Sequence, residues 1–355
     1  MSFMKNKLSF IENLPPSYFS MVMATGALSL GLHALGYPVL PQALFYLNAF
    51  AYLVLWVLYI ARLIMHPRRV GQDLISHQLG PGYFTSVASS CVLGTQFILI
   101  ADNRSIAAVL LAIGTALWLG LTYTIFTGFT IKETKPQLAN GISGAWLLAV
   151  VATQAISVLT AMLAAHVPQP YRIEMNFVAL SMWLWGGMLY IWMISLIFYR
   201  YTFFRFQPSD LSPPYWINMG AMAISVLAGT KLIANAPHAP FLDSLLPFIK
   251  GFTVFYWATG TWWIPMLVIL VLWRHLYKRY PFQYDPLYWG AVFPLAMYTL
   301  CSQSMATTMH LDFLLPLPRY FVYLAIAAWT LTFIGLLRHI LRPISAQHMP
   351  GQPRP

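Results

Sequence analysis

The sequence has few acidic side chains, and none of them lies in a segment that is apolar and long enough to cross a bilayer. The nine carboxylates are Glu12, Asp73, Asp102, Glu133, Glu174, Asp210, Asp243, Asp285 and Asp312. An ionisable side chain within a bilayer is costly, and proteins that carry protons usually keep one there because it is functional. The formal charge of this chain is nevertheless +11. This combination favours a passive or weakly coupled anion pathway over a proton-driven pump.

Charged residues of both signs make up only 8% of the 355 residues, while hydrophobic residues make up 59%. A soluble domain carries about 25% charged residues, so the composition excludes that class. A membrane-spanning helix needs roughly 20 mainly apolar residues. We predict ten such spans, at about 17–36, 42–63, 82–100, 105–129, 141–165, 176–200, 214–234, 247–274, 286–309 and 318–341. They form one transmembrane domain at 14–342, between a cytoplasmic segment at 1–13 and a disordered tail at 343–355.

The chain also lacks the motifs of catalytic and metal sites. Its two cysteines, Cys91 and Cys301, lie inside predicted spans, where we expect packing rather than a disulfide. The nine histidines show no metal-ligand spacing, and neither a nucleotide-binding glycine loop nor a nucleophile motif is present. We therefore predict no enzymatic activity, no cofactor, no metal and no nucleic-acid partner. One functional alternative is a membrane-embedded enzyme or haem protein. Histidines paired at matching depth on neighbouring helices would favour it.

The distribution of Lys and Arg predicts the orientation of the chain. If the N-terminus is cytoplasmic, fifteen of the twenty basic residues lie on the cytoplasmic side. The other side then holds Arg104, Arg172, Lys231, Lys250 and Arg319. Cytoplasmic loops of membrane proteins are enriched in Lys and Arg, so this bias predicts that both termini are cytoplasmic. Most of the positive charge is thereby explained by topology rather than by a ligand site.

A short motif recurs at the starts of the odd-numbered spans. The four matches and one degraded copy are Pro16-Ser17-Tyr18-Phe19, Pro81-Gly82-Tyr83-Phe84, Gly144-Ala145-Trp146-Leu147, Pro213-Pro214-Tyr215-Trp216 and Pro286-Leu287-Tyr288-Trp289. Proline is tolerated in the first turn of a helix, and an aromatic side chain suits the membrane interface. The near-regular spacing predicts five repeated helical hairpins.

The two helices of each predicted hairpin differ in composition. Ten of the thirteen tryptophans lie on even-numbered spans, and the odd-numbered spans are somewhat richer in Ser, Thr, Asn and Gln. Because polar groups avoid lipid and small residues let helices approach closely, we predict an inner ring of odd helices and an outer ring of even ones. An inner ring of five helices can leave a central pore. The alternative is that the polar groups join packed helices without a pore.

Three stretches carry a resemblance to a known family: LPPSYF at 14–19, ATGA at 24–27 and YWGAVFPL at 288–295. They resemble the first and ninth helices of the tellurite-resistance/dicarboxylate transporter family, which is related to the plant slow anion channels of the voltage-dependent anion channel family. The resemblance implies five hairpins with quasi-five-fold symmetry around a central pore, assembled as homotrimers in which each subunit conducts separately. It also implies that a Phe on the ninth helix, here Phe293, occludes the pore.

The repeat places Phe293 in a predicted layer around the pore axis. Phe293 lies seven residues after the first motif residue of its repeat, and the same offset in the other repeats falls on Met23, Ala88, Val151 and Gly220. A hydrophobic constriction can gate a pore by dewetting it, and Pro294 kinks the helix beside the ring. The alternative is that Phe293 only packs the core. Gly26 is a further pore-lining candidate, with close helix approach as its other role.

The leading functional prediction is a channel, facilitator or exporter for small inorganic or organic anions in the plasma membrane, or the inner membrane of a Gram-negative bacterium. The main alternative is a secondary transporter of C4-dicarboxylates such as malate, or a sulfite or tellurite exporter. A proton-coupled transporter needs a titratable group, for which the apolar segments offer only Lys231 and interfacial histidines.

Overall fold

The computed structural model of the chain describes residues 11–281 and 284–341, and within these ranges all regular secondary structure is helical. The predicted tail at 343–355 and most of the predicted N-terminal segment lie outside the described residues. Ten of the helices are 15 or more residues long: α1 (Ser20–Ala34), α2 (Leu40–Met65), α3 (Phe84–Leu99), α4 (Arg104–Ile131), α5 (Leu148–Ala164), α6 (Tyr171–Phe203), α7 (Ile217–Asn235), α8 (Leu246–Leu272), α9 (Trp289–Met309) and α10 (Pro316–Leu341).

Seven of these helices are long and apolar enough to cross a membrane, namely α2, α4, α5, α6, α7, α8 and α10. The other three are shorter or more polar, since α1 and α3 have 15 and 16 residues and α9 carries many hydroxyl groups. The prediction of an all-helical membrane protein with several spans is therefore confirmed. The count of ten crossings and the orientation stay predictions.

The five odd-numbered helices form a closed ring, and we call them the inner helices. Each contacts the next in the order α1, α3, α5, α7, α9, and α9 contacts α1 again. Their burial agrees with this position, because every residue of α5 is buried and α7 is buried except at Lys231 and Ala234. The even-numbered helices pack outside the ring and expose large apolar side chains on their outward faces. We call these the outer helices.

All five inner helices point in the same direction. Each is preceded by a 3-10 turn at the recurring motif: Pro16–Phe19, Gly80–Tyr83, Gly144–Leu147, Pro213–Trp216 and Pro286–Tyr288. These N-terminal turns contact one another in the same cyclic order as the helices that they start. The N-termini of the inner helices therefore meet at one end of the ring, and the C-termini lie at the other end.

Aromatic side chains of the outer helices hydrogen-bond to the inner helices. Three of these bonds reach the same repeat position, nine residues after the first motif residue: Trp329 Nε1 donates to Thr25 Oγ1 at 2.9 Å, Tyr52 Oη bonds Ser90 Oγ at 2.7 Å, and Trp118 Nε1 donates to Thr153 Oγ1 at 2.8 Å. Elsewhere, Trp183 Nε1 donates to Ser225 O and Trp257 Nε1 to Ser302 Oγ. Many inner-helix hydroxyls thus point outward.

An Arg, an Asp and the motif Tyr recur where an outer helix is followed by the next inner helix. Hydrogen bonds and ion pairs join Arg62–Asp73–Tyr83 and Arg200–Asp210–Tyr215. In the third set, Arg274 lies near Asp285 and Tyr288 and donates to Leu211 O. The Arg62–Asp73 pair is the tightest, with 2.6 Å between Nη2 and Oδ2 and side chains only 2% and 6% exposed. These clamps join successive hairpins at the N-terminal end of the ring.

The junction between the second and third hairpins is built from aromatic rings instead. The His77 ring stacks on Phe129 of α4 with centroids 4.2 Å apart. Trp146, which replaces the motif Tyr, donates from Nε1 to His77 O and Gly141 O, both at 3.0 Å. Desolvation of the ring, followed by the positive charges of Lys132 and Lys135, lowers the pKa of His77.

Replacing Asp73 with Ala should destabilise the protein by about 3–5 kcal/mol, because the substitution leaves the buried Arg62 guanidinium without its counter-charge. Thermal unfolding of the detergent-solubilised protein measures the effect. Asp102→Ala is the matched control, since its pair with Arg104 is exposed and such pairs contribute about 0–1 kcal/mol. Equal melting temperatures for the two variants would contradict the structural role of the clamp.

The lowered pKa of His77 predicts that acid destabilises the folded protein. As the pH falls through the ordinary histidine pKa of about 6.5, the unfolded chain binds the proton first, so the free energy of unfolding decreases until the folded-state pKa is passed. His77→Phe keeps an aromatic ring stacked on Phe129. The substitution should reduce the fall in melting temperature between pH 7.5 and pH 5.5, a range of about two units around the ordinary histidine pKa. His238→Phe, at an exposed histidine, should leave it unchanged. Identical pH profiles for all three proteins would refute this role of His77.

Candidate functional site

A small cavity lies on the axis of the helix ring. Residues of all five inner helices line it: Leu30, Cys91, Val92, Thr95, Ala155, Val158, Ile224, Leu227 and Met297. Its volume is about 10 Å³, which is close to the minimum that holds one water molecule. The ring therefore encloses a lumen that is nearly closed at this level.

The lining residues occupy equivalent positions in the repeats. Counted from the first motif residue, Val92, Ala155, Ile224 and Met297 lie eleven residues on, and Leu30, Thr95, Val158 and Leu227 lie fourteen residues on. Offsets of seven, eleven and fourteen fall on one face of an α-helix, because a turn has 3.6 residues. We call this the lumen face. The predicted layer at offset seven therefore lies on the lumen face, one turn closer to the N-terminal turns than the cavity.

The five residues of that layer are all buried: Met23, Ala88, Val151, Gly220 and Phe293. Phe293 and Met23 are the large side chains among them, and both are 0% exposed. Because the N-terminal turns of the inner helices meet, equal offsets correspond to similar depths along the ring. The structure thus brings the predicted gate residue and its four partners to one level of the lumen face.

The inner helices α7 and α9 come very close together at this level. A Cβ atom added at Gly220 would lie 2.6 Å from Cγ and 3.2 Å from Cα of Pro294. Pro294 lies inside α9, and its missing N–H leaves the carbonyl of Gly290 without the usual helical donor. Gly220 thus makes room for the proline ring next to Phe293, a contact that the sequence pattern alone did not reveal.

Gly26 lies at a helix contact. A Cβ atom there would lie 2.5 Å from Val92 Cγ1 and 2.9 Å from Asn48 Nδ2. Asn48 itself donates to Gln96 Oε1 at 2.7 Å, so a buried amide pair joins α2 to α3 beside this glycine. Gly26 therefore allows close approach of helices, and a side chain at this position would point towards α2 and α3.

The lumen face is mainly apolar, although the inner helices are rich in hydroxyl groups. Ser86, Ser89 and Ser90 each donate to carbonyls of their own helix or of the turn before it. The offset of nine that receives the outer aromatic groups is two residues, or about 200°, from offset seven. Hydroxyls at that position therefore point away from the lumen. The motif alignment contained this signal, because the three hydroxyls that receive these bonds share one repeat position.

Charge is nearly absent from the inner helices. α1, α3, α5, α7 and α9 contain no Asp or Glu and a single Lys or Arg, which is Lys231 near the C-terminal end of α7. Among the described residues, no group of three His, Cys, Asp or Glu side chains is placed to hold a metal ion. The lumen face is therefore mainly apolar, and the five inner helices contribute one basic side chain.

The sequence was compared with known protein families and with individual known proteins. The sequence profile described as "voltage-dependent anion channel" matches residues 13–337. An uncharacterized transporter of Methanocaldococcus jannaschii is 27% identical over 304 residues, which cover 84% of this chain and 85% of the relative. A second such transporter from that organism is 26% identical over 82% of this chain and 84% of its own length. An uncharacterized membrane protein of Mycobacterium tuberculosis is 37% identical over 44% of this chain and 79% of its own length.

Gly220→Ala should lower the melting temperature, because the added methyl group meets a rigid proline ring and overpacking of this kind typically costs about 1–3 kcal/mol. Gly120→Ala is the matched control. Gly120 lies within α4 and has open space at its Cβ position, so alanine there should be neutral or slightly stabilising. Thermal unfolding in detergent compares the two, and a Gly220 variant as stable as the Gly120 variant would contradict the tight contact with Pro294.

Proposed function

The chain belongs to the voltage-dependent anion channel family, and from this premise we propose that it conducts small anions across a membrane through the lumen of its inner helices, with Phe293 as the gate. The main observation that supports the proposal is the cavity lined by all five inner helices. The repeat register places Phe293 one turn from it on the same lumen face. A ring of parallel helices with a lumen along its axis is an arrangement through which a small ion can pass.

The closed state of the proposed gate is a hydrophobic barrier. Phe293 is 0% exposed, and the layer around it contains only apolar side chains and Gly220. A constriction of this kind stops ions by excluding water, since an anion without its hydration shell finds no compensating polar group there. Pro294 fixes the direction of the ring through the kink that it introduces next to it.

The proposal includes ten crossings of the plasma membrane, or of the inner membrane in a Gram-negative bacterium, with both termini in the cytoplasm. The N-terminal end of the ring supports this orientation because Arg62, Arg200 and Arg274 all lie at that end, within the clamps between hairpins. A cluster of arginines at one end agrees with the enrichment of basic residues on the cytoplasmic side. We further propose a homotrimer in which each subunit has its own lumen.

Conduction without proton coupling is favoured over a coupled dicarboxylate transporter. The five inner helices carry no carboxylate, so the lumen has no acidic group that binds and releases a proton during transport. An apolar lumen also offers no fixed pair of cations for the two carboxylates of malate. Chloride, nitrate and similar monovalent anions fit this lumen better than malate, sulfite or tellurite.

Phe293→Ala should raise anion flux by roughly tenfold or more, because a barrier lowered by about 1.4 kcal/mol already gives that factor. The measurement is flux into proteoliposomes of chloride, nitrate, sulfite and malate, each with and without a pH gradient. Phe255→Ala is the matched control, since Phe255 lies on the outer helix α8 and is 46% exposed. That variant should conduct like the unaltered protein.

Two results would overturn the proposed function. Unchanged flux in a folded Phe293→Ala protein would remove Phe293 from the gate. Transport of malate alone, driven only by a pH gradient and insensitive to the substitution, would replace the channel with a proton-coupled dicarboxylate transporter.

A further inference from the structure

Lys231 is placed unlike every other basic residue of the chain. It is the single Lys or Arg on the five inner helices. Within α7 (Ile217–Asn235), only Lys231 and Ala234 are not buried. Positions three apart share a helix face, so α7 is less buried on one face near its C-terminal end. Lys231 stands on that face.

The register of α7 shows that this face is the lumen face. A Cβ atom at Gly229 would meet Thr253 of α8 and Trp183 of α6, so position 229 points outward. Lys231 follows two residues later and is rotated by about 200°. It also lies four residues after Leu227 and seven after Ile224, which both line the axial cavity. The Lys231 side chain therefore starts on the lumen face, one turn beyond the cavity and away from the gate.

On α7 and α9 the residues beside Lys231 are polar and neutral, while α1, α3 and α5 have Ala34, Leu99 and Met162 at the same repeat position. Thr230 Oγ1 and Ser304 Oγ hydrogen-bond at 2.8 Å between α7 and α9, and Ser304 occupies the same repeat position as Lys231, eighteen residues after the first motif residue. Gln303 and Ser304 are partly exposed. Among the described residues, the structure gives the Lys231 ammonium group neither an ion-pair nor a hydrogen-bond partner, because the three ion pairs involve other basic residues.

The common direction of the inner helices explains why an anion needs a positive charge at the end where Lys231 lies. The N-terminal turns meet at one end, so five helix C-termini surround the other end, and each carries roughly half a negative charge. An anion at that end is repelled by the helix termini and needs a compensating cation. Lys231 is the cation that the inner helices place there.

We propose that Lys231 forms a binding site for a monovalent inorganic anion at the C-terminal end of the lumen, beside the hydrogen-bonded hydroxyl groups of Thr230 and Ser304. The inference rests on the proposed function, because this site lies on the same proposed anion pathway as the gate at Phe293. An ammonium group is a compact point charge without a fixed fork, so it suits a small spherical or planar anion better than a carboxylate pair.

The test compares Lys231→Gln, Lys231→Arg and the matched control Lys250→Gln in bilayer recordings. Lys250 is an exposed lysine on the outer helix α8 at the same end of the molecule. With chloride added on that side, Lys231→Gln should raise the half-saturating chloride concentration by roughly three- to tenfold, while Lys231→Arg and Lys250→Gln stay close to the unaltered protein. An equal shift in Lys231→Gln and Lys250→Gln would show a general surface-charge effect and overturn the site.

A charge restored after folding separates binding from structural damage. The Lys231→Cys protein is reconstituted first and then treated with cationic or anionic methanethiosulfonate reagents. The cationic reagent should return the half-saturating concentration towards that of the unaltered protein, and the anionic reagent should suppress conduction. Failure of both reagents to change conduction would mean that position 231 does not face the lumen.

A binding measurement distinguishes failure of the site from failure of the proposed function. Chloride, compared with gluconate, should raise the melting temperature of the unaltered protein but not of Lys231→Gln, whether or not the bilayers conduct. Conduction that is the same in Lys231→Gln and the unaltered protein would remove the site and leave the channel. Absence of conduction in both the unaltered protein and Phe293→Ala would remove the channel, and chloride stabilisation that is equal with and without Lys231 would then remove the site as well.

Discussion

A polar group of an inner helix that does not face water needs a partner within the protein, since a membrane interior offers none. Many Ser and Thr hydroxyls of these helices, including Ser90 and Thr153, donate to carbonyls one turn back. The hydroxyls of Thr25, Ser90 and Thr153 also bond an aromatic group of an outer helix. These bonds fix the rotation of the inner helices about their own axes. Once the hydroxyls at offset nine face outward, the residues at offsets seven, eleven and fourteen must face the axis. The apolar lumen is thus a consequence of satisfying the polar groups elsewhere.

The common direction of the inner helices makes the two ends of the ring physically different. At the N-terminal end, the buried Arg62–Asp73 pair and the related clamps hold hairpin to hairpin, and the helix termini carry partial positive charge. At the C-terminal end, the inner helices contribute neutral hydroxyls and a single lysine, Lys231, beside termini of partial negative charge. On the proposed pathway, an anion in the lumen meets an electric field that comes mainly from the ends of the helices. The proposed selectivity then depends on the two ends of the ring, because the apolar middle section supplies no charge.

Composition predicted that the odd-numbered helices form the inner ring. The motif at 16–19 and its copies predicted where these helices start, and each copy adopts a 3-10 turn. The family resemblance predicted Phe293 as the gate residue, and the repeat predicted which residues share its layer. The clamps went unpredicted, because the spacing of 10 or 11 residues from each arginine to its aspartate does not by itself show that the fold brings the two side chains together. The contact of Gly220 with Pro294 was equally hidden, since it depends on how α7 and α9 cross. The outward direction of the hydroxyls was present in the spacing, while composition left open whether the polar groups surround a pore or join packed helices.

A gate made of apolar side chains differs energetically from one made of charges. Opening a buried ion pair such as Arg62–Asp73 would leave two charges without partners, which costs several kcal/mol. In the proposed gate, moving the Phe293 ring breaks no ion pair and needs only a change of packing beside Pro294, which lies inside α9. Opening the proposed gate then avoids the cost of separating buried charges. The structure accordingly concentrates its ionic interactions in the clamps between hairpins, and it leaves the level of Phe293 free of charge.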